Sequence, residues 1–355
     1  MSIKEINISN RIIGGENPCF TIAEAGANHD GKIEKAFKLI DSAKQSGADS
    51  IKFQTYKASK LTTRNAPKYW EDGIDNETQF DVFNKLDLLK NDEWKEIFEY
   101  ANKKEIICFS TPFDEESADL LYSFQVPMFK IASADITHIP LIKHIAKKGL
   151  PVFLSSGMAS MEEIHEAVSS IEDTGNHNIV LLHCITSYPT ANQDANLDMI
   201  KTLQQNFPSC IIGYSDHTLG TLIPALSVLY GSKIIEKHFT YDTKLSESRD
   251  HRLSLDVQGF KEMIENIRVA EISKGFNREI VFDSEKEGIK FARRSIVSLQ
   301  KITVGTTITK NMIGVKRPGT GIYPKFFDSI IGKKAIRDIG EDQPLEWEDI
   351  EKKNI

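Results

Sequence analysis

No two of the four cysteines form a CxxC pair, so their spacing suggests neither a metal motif nor a redox motif. Cys19, Cys108, Cys184 and Cys210 fall mostly within apolar stretches such as "IICFS" and "LLHC". They read as buried free thiols in a reducing compartment. No apolar run approaches the ~20 residues that span a bilayer, and "MSIKEINISNRIIGG" is too polar for a signal peptide. Positive charge is in deficit, with 44 Lys and Arg against 51 Asp and Glu and a net charge of -7. That balance argues against nucleic acid as the main partner. The expectation is a cytoplasmic protein with no membrane or nucleic-acid partner, in which any anionic substrate needs a locally basic pocket.

What the chain does have is a regular alternation of short apolar runs with longer amphipathic stretches. The runs are "CFTIAEAG" (19–26), "SIKFQTY" (50–56), "IICFSTPF" (106–113), "MFKIASAD" (128–135), "VFLSSGM" (152–158), "IVLLHCITSYP" (179–189), "IIGYSDH" (211–217) and "IIEKHFTYD" (234–242). Between them lie helical patterns, including "EKAFKLIDSAKQSG" closed by Gly47 and "SMEEIHEAVSSIEDTG" opened by Ser160. Near-continuous apolar strands joined by helices predict a parallel sheet covered on its faces. Eight such units, the last helix near 256–273, predict an α/β fold of the (βα)8 TIM-barrel type. An open doubly wound sheet is the competing arrangement, but no Gly-rich dinucleotide turn follows the first run.

The alternation stops at "KGFNREIVFDSEKEG" (274–288), which is charged and poor in apolar residues. We therefore divide the chain into a barrel at 1–274, a linker at 275–290 and a small, mostly-β domain at 291–355. Within the small domain, "ITVGTTITKNMI" (302–313) and "IGEDQPLEWEDI" (339–350) echo one another, which predicts a pseudo-symmetric fold. Residues 57–91 form a long insertion between the second strand and its helix. In a barrel that connection lies at the substrate face, where long loops act as lids or specificity elements.

Polar residues collect where the runs end, among them Asn28, Gln54, Ser110, Thr111, His183 and Tyr188. Strand alternation sorts them, because positions i and i+2 share a face. In "IIGYSDHT" (211–218), Ser215 and His217 project together and Asp216 projects opposite, so the three are not a hydrolase triad. His217 has a counterpart one strand onward in His238, which shares a face with Glu236. Two neutral imidazoles suit a divalent Mn, Fe, Co or Zn ion, with Asp216 or Glu236 as a further ligand or orienter. Two structural histidines are the alternative.

Lys52 and Lys130 lie inside apolar strands, where an unpaired ammonium is costly. Pointing inward near the mouth, they predict an anion cradle with Ser133, Ser155 and Ser156. Each is also a possible Schiff-base nucleophile. Glu24 in "IAEAG" reads either as the salt-bridge partner of a neighbouring lysine or as an acid/base group, and Asp135 similarly ends the fourth run.

The motifs "IAEAGANHDG", "IKFQTY", "STPFD", "FKIASAD", "LSSGM", "LLHC…YPT", "GYSDHT", "IEKHFT", "DHRLSLD" and "VKRPGTGI" follow in this order. Together they resemble the sialic acid synthase family, and the last stretch resembles its antifreeze-like (SAF) domain. The resemblance implies condensation of phosphoenolpyruvate with the aldehyde form of an N-acylated amino sugar. N-acetylmannosamine and a 2,4-diacetamido-trideoxyhexose are the candidate acceptors. Phosphate leaves by C–O cleavage as water attacks C2, without a Schiff base. It also implies a divalent cation, most often Mn2+ with Mg2+ or Co2+ as alternatives, held by His217 and His238.

By the same resemblance Glu24, Lys52, Lys130 and Asp135 are catalytic. Gln54, Ser133, Ser155, Tyr188 and Asp250 are expected to contact substrate, together with Ser110, Ser156, Thr186 and Ser215. Arg317 in "KRPGTG" is expected to reach the active site of the other subunit in a homodimer with swapped SAF domains. The chain departs from the family at Asp135, where several relatives carry Glu, and at Thr186, where some neuraminate synthases carry Asn. "SESRDHRLSLD" also differs from the "GPD"-type segment of neuraminate and legionaminate synthases, so the acceptor sugar stays open. The competing readings are another phosphoenolpyruvate-dependent 3-deoxy sugar acid synthase, a metal aldolase, and a catalytically silent sugar-binding protein.

Overall fold

The computed structural model describes residues 4–70, 77–245, 249–275 and 281–351. The chain divides into two compact units, Met1–Gly275 and Phe276–Ile355. The first begins with an antiparallel hairpin, β1 (Glu5–Ile8) and β2 (Arg11–Gly14). Eight parallel strands follow: β3 (Phe20–Gly26), β4 (Ser50–Thr55), β5 (Ile107–Pro112), β6 (Phe129–Ile131), β7 (Val152–Ser155), β8 (Ile179–Cys184), β9 (Ile211–Asp216) and β10 (Ile234–His238). They pair in chain order, and β10 returns to β3 to close a barrel. Each of the eight apolar runs is one of these strands.

The two faces of each strand have separate tasks. Outward residues such as Ile51, Phe53, Phe129, Leu154, Leu181 and Ile235 pack under the surrounding helices in one large core. Inward residues in the lower half form a second core from Phe20, Ile22, Phe109, Met128, Phe153, Val180, Leu182, Ile211 and Ile234. The hairpin adds Ile6, Ile8 and Ile13 to it, so the lower barrel is packed solid. Each such side chain contributes roughly 1.5–3 kcal/mol on burial.

Both expected helix caps are present. Gly47 closes the helix Ile33–Ser46 at φ 82, a left-handed conformation that glycine adopts without strain. Ser160 opens Met161–Glu172 with a capping box through Glu163. The insertion carries the helices Ala58–Leu61 and Gln79–Leu86, and its residues 71–76 lie outside the described residues. No helix among the described residues is long and apolar enough to cross a membrane.

The stretch read as a linker is partly helical, a correction to the sequence reading. Its residues 276–280 lie outside the described ones, but Lys286–Ala292 is an α-helix with no buried residue. Lys and Glu favour helix locally, while the lack of an apolar stripe concealed it from a periodicity argument. Beyond it, β11 (Ser295–Ser298) pairs antiparallel with β12 (Ile313–Lys316).

The internal echo is visible in space. Ile302, Ile308 and Ile313 of the first copy and Ile339, Leu345 and Ile350 of the second all enter one core. Ile302 pairs with Ile339, and each copy ends in a 3-10 turn before an isoleucine at φ -128, ψ 149.

Candidate active site

Above the apolar plug, the inward positions of the same strands turn polar. They open into a cavity of about 650 Å³, lined by Glu24, Lys52, Gln54, Thr111, Lys130, Ser155, Thr186, Tyr188, Ser215, His217, Glu236 and His238. Leu61, Tyr69, Trp70, Val82 and Phe83 of the insertion form part of the wall, as a lid or specificity loop does. Ser133 and Asp135 reach the cavity from the 3-10 turn that follows β6, and Asp250 from the turn Arg249–Arg252 after β10.

The floor is a cluster of two ammonium and two carboxylate groups. Lys52 Nζ lies 2.7 Å from Glu24 Oε2 and 3.8 Å from Glu236 Oε2. Lys130 Nζ lies 3.5 Å from Glu236 Oε1, which also accepts a hydrogen bond from Ser215 Oγ at 2.9 Å. Lys52 donates to Thr111 Oγ1 at 3.1 Å, and Gln54 Nε2 donates to Glu24 Oε1 at 3.1 Å. Glu24 therefore has the salt bridge that one sequence reading foresaw, and it has it inside the cavity.

The four groups are tuned apart. Burial raises the Glu24 carboxyl to about 7 despite the neighbouring Lys52. Burial pushes Glu236 the same way, but the charges of Lys130 and Lys52 overcome it and hold this carboxyl at about 2. Burial lowers Lys130, whereas for Lys52 the carboxylates of Glu236 and Glu24 outweigh burial and raise it. Pairs of titratable groups pushed apart in this way mark acid/base sites.

At the rim, His217 and His238 sit side by side, with ring centroids 5.3 Å apart. The β9–β10 register, Glu236 with Ser215 and Lys237 with Asp216, brings them there. His217 Nδ1 donates to the Ile185 carbonyl at 2.8 Å, which leaves the Nε2 lone pair available. His238 Nδ1 is buried without a hydrogen-bond partner among the described residues. Burial lowers the His238 ring well below its ordinary value, so it is neutral. Burial lowers the His217 ring too, but the neighbouring Cys184 and the Ile185 carbonyl outweigh it and raise that ring, so His217 must give up a proton to a borderline divalent cation that keeps open positions for water or substrate. No group of three or more His, Cys, Asp or Glu side chains suited to a metal occurs among the described residues.

Several polar atoms face the cavity without a hydrogen-bond partner among the described residues: Ser155 Oγ, Thr186 Oγ1 and Asp135 Oδ2. Gly157 keeps that corner open, since a Cβ there would lie 2.4 Å from Thr186 Oγ1 and 2.8 Å from Ser133 Oγ. Ser133 Oγ accepts from the Gly157 N–H at 3.0 Å.

Burial raises the Asp135 carboxyl to about 6. A raised acid destabilises the fold once ionised, from pH 4 upward and fully above pH 6. Asp135→Asn is therefore expected to add about 2–3 kcal/mol of stability at pH 7. Urea melts should show that gain disappearing at pH 4, while turnover falls because the carboxylate is lost from the cavity.

Three expected residues point elsewhere. Ser110 faces outward and pairs with Thr55 Oγ1 at 2.7 Å, because its strand neighbour Thr111 holds the inward position. Ser156 follows the inward Ser155 and donates to the Leu182 carbonyl at 3.0 Å, outside the cavity lining. Asp216 is buried on the outer face, where it accepts from Tyr214, Thr218 and Lys237, so it is not a ligand. His183 is also outward, bonded to the Ala195 carbonyl. Arg317 lies in the second unit, exposed just after β12. The Ser-Glu-Ser segment at 246–248 is outside the described residues.

Sequence reasoning named Glu236 only as a possible ligand or orienter and missed its place between the lysines. Its i-2 spacing from His238 was the available signal. The aromatic wall of Tyr69, Trp70 and Phe83 was missed as well.

Comparison with known proteins adds independent findings. The model of the NeuB family matches residues 39–279, and that of the SAF domain matches residues 293–351. An N,N'-diacetyllegionaminic acid synthase of Legionella pneumophila is 38% identical over 97% of this chain and 99% of its own length. A pseudaminic acid synthase of Helicobacter pylori is 35% identical over 93% of this chain and 97% of its own. The crystal structure of an N-acetylneuraminic acid (sialic acid) synthetase from Leptospira borgpetersenii superposes with a TM-score of 0.73 at 36% identity. That match covers 81% of this chain and 95% of the other.

Proposed function

The chain belongs to the NeuB family, and from that premise we propose that it condenses phosphoenolpyruvate with the open-chain aldehyde of an N-acylated amino sugar. The products are a 2-keto-3-deoxy sugar acid and inorganic phosphate. One observation carries the reading: two buried ammonium groups, Lys52 and Lys130, lie in one cavity with a paired imidazole site.

Lys52 and Lys130 bind the phosphate and carboxylate of the enolpyruvate, with Ser133 and Ser155 donating hydroxyl hydrogen bonds. Ser155 Oγ and Thr186 Oγ1, without a hydrogen-bond partner among the described residues, supply sockets for substrate oxygens. Enolpyruvate C3 attacks the aldehyde carbon, and the new C–C bond leaves positive charge at C2. Water adds to C2, its proton passing to Glu24, whose carboxyl near 7 suits both giving and taking a proton. Glu24 returns that proton to the former aldehyde oxygen; the C2–O bond to phosphate then breaks, phosphate leaving with the bonding pair and the C2 hydroxyl proton as C2 becomes the keto carbon. Asp135, Tyr188 and Asp250 orient the sugar, while the insertion's aromatic wall packs against its apolar N-acyl methyl group.

His217 and His238 would hold a divalent cation, Mn2+ or alternatively Mg2+ or Co2+, which when bound polarises the aldehyde oxygen as a Lewis acid.

The test is phosphate release from phosphoenolpyruvate and Mn2+ with each of several acceptors. These are N-acetylmannosamine, its 6-phosphate, 2,4-diacetamido-2,4,6-trideoxymannose and the altrose isomer. Turnover with one of them, abolished by chelation and restored by Mn2+, is the expected result. No release with any of the four would overturn the assignment.

A further inference from the structure

Asp216 and Lys237 are buried charges that the proposed chemistry does not use. Each adjoins one of the paired histidines in sequence, and the two meet across the ends of β9 and β10. The strand register sets Lys237 opposite Asp216, and Lys237 Nζ lies 2.5 Å from Asp216 Oδ2 with both side chains almost wholly buried. Asp216 also accepts from Tyr214 OH, Thr218 N and Thr218 Oγ1, each at 2.9 Å. Lys237 donates in addition to the Thr218 carbonyl.

We infer that this outward-facing ion pair is a positioning device that sets the separation of His217 and His238 and thereby the affinity of the barrel mouth for a divalent cation. The inference rests on the reading of those two histidines as a cation site.

The β9–β10 register is paired only as far as Lys237 with Asp216, so beyond that point the ladder no longer spaces the strands. His217 and His238 each follow that last pair by one residue. The ion pair is the closing cross-strand tie, on the opposite face from the imidazoles it spaces.

The Nδ1 bond to the Ile185 carbonyl fixes how the His217 ring is turned, but not how far it stands from its neighbour. A buried ion pair is a poor means of stabilisation, because apolar residues of similar volume usually serve at least as well. Fixed geometry is what it supplies and they do not. Partners that orient metal-binding histidines typically alter affinity about 10–100-fold when removed.

The experiment compares wild type with the double variant Asp216→Asn/Lys237→Met, which removes both charges and leaves no unpaired ion. The amide introduced by Asp216→Asn keeps an oxygen for Tyr214 and the Thr218 N–H. Mn2+ affinity is read from the electron paramagnetic resonance of free Mn2+, and ligand geometry from the visible bands of Co2+. Thermal melting of the metal-free protein is measured alongside.

The expected result is a melting temperature close to wild type, Mn2+ affinity lower by at least about tenfold, and an altered Co2+ spectrum. Wild-type affinity with an unchanged Co2+ spectrum overturns the inference, whatever the melting temperature does. If the double variant does not fold, Thr218→Val removes one donor to Asp216. It should weaken Mn2+ binding about two- to fivefold, and unchanged binding overturns the inference. Failure of the underlying reading looks different. A wild-type protein that takes up no Mn2+, or whose uptake survives His217→Ala, removes the cation site and this inference together.

Discussion

Glu236→Gln is expected to cost about 3–5 kcal/mol of stability in anion-free buffer, and phosphate or phosphoenolpyruvate should return much of it. In the wild-type cavity two ammonium groups face two carboxylates, and Glu236 is the carboxylate that touches both lysines. Its carboxyl, held at about 2 by Lys130 and Lys52 against the effect of burial, contributes stability above pH 4.5 that is lost as pH falls toward 2. The amide keeps the shape and the Ser215 contact but leaves Lys130 without its paired anion.

A ligand anion in the same place restores the balance. At one hundred times its dissociation constant a ligand adds about 2.7 kcal/mol. Urea melts with and without phosphate should therefore show a larger gain in Glu236→Gln than in wild type. Equal gains in the two proteins would mean that the anion binds away from the lysines.

The barrel was legible because each strand is a separate apolar run bounded by helical sequence, and such runs have few alternatives to a covered parallel sheet. Strand parity was equally informative. It set Ser215 and His217 on one face, put Asp216 opposite and paired His217 with His238, and the structure has Ser215 and both imidazoles in the cavity wall with Asp216 outside it. Parity also accounts for the errors. Ser110 and Ser156 stand out as polar residues at strand ends, yet each sits one residue out of step with an inward neighbour, Thr111 or Ser155.

What the sequence could not display is whatever depends on closure of the barrel. Glu236 meets Lys52 and Lys130 only because β10 curves round to face β4 and β6. The four-residue strands of the N-terminal hairpin are too short for a periodicity argument, and their isoleucines have meaning only as a plug for an interior that the chain builds later. The helix Lys286–Ala292 buries nothing, so no apolar stripe announced it.

Lys130→Met is expected to lower kcat/KM for phosphoenolpyruvate by about 10²–10³-fold, the size of effect found when a preorganised charge is removed from a reacting centre. The two lysines are not equivalent. Lys52 is tied to Glu24 at 2.7 Å and to Thr111 at 3.1 Å, whereas Lys130 has Glu236 at 3.5 Å. Lys130 is thus the more loosely held ammonium and the one whose proton burial makes easier to lose. Both properties suit an anion-binding charge, and both would also suit a Schiff-base nucleophile.

Lys130→Arg separates the two. Arginine keeps the positive charge but forms no imine, so an anion-binding role predicts partial activity, well above that of Lys130→Met. A Schiff-base role predicts that the two variants are equally inactive. Borohydride treatment with substrate present should leave the wild-type mass unchanged, and a reduced adduct on Lys130 would establish the imine route. Stability provides the control. Lys130→Met removes a buried ammonium at the same time as it deprives Glu236 of one partner, and Lys52 and Ser215 remain to hold that carboxylate. Because Lys130 is the larger of the two charges holding that carboxylate down, some loss of melting temperature is expected, and rates are compared well below the melting point of each variant so that a lost rate can be assigned to lost chemistry.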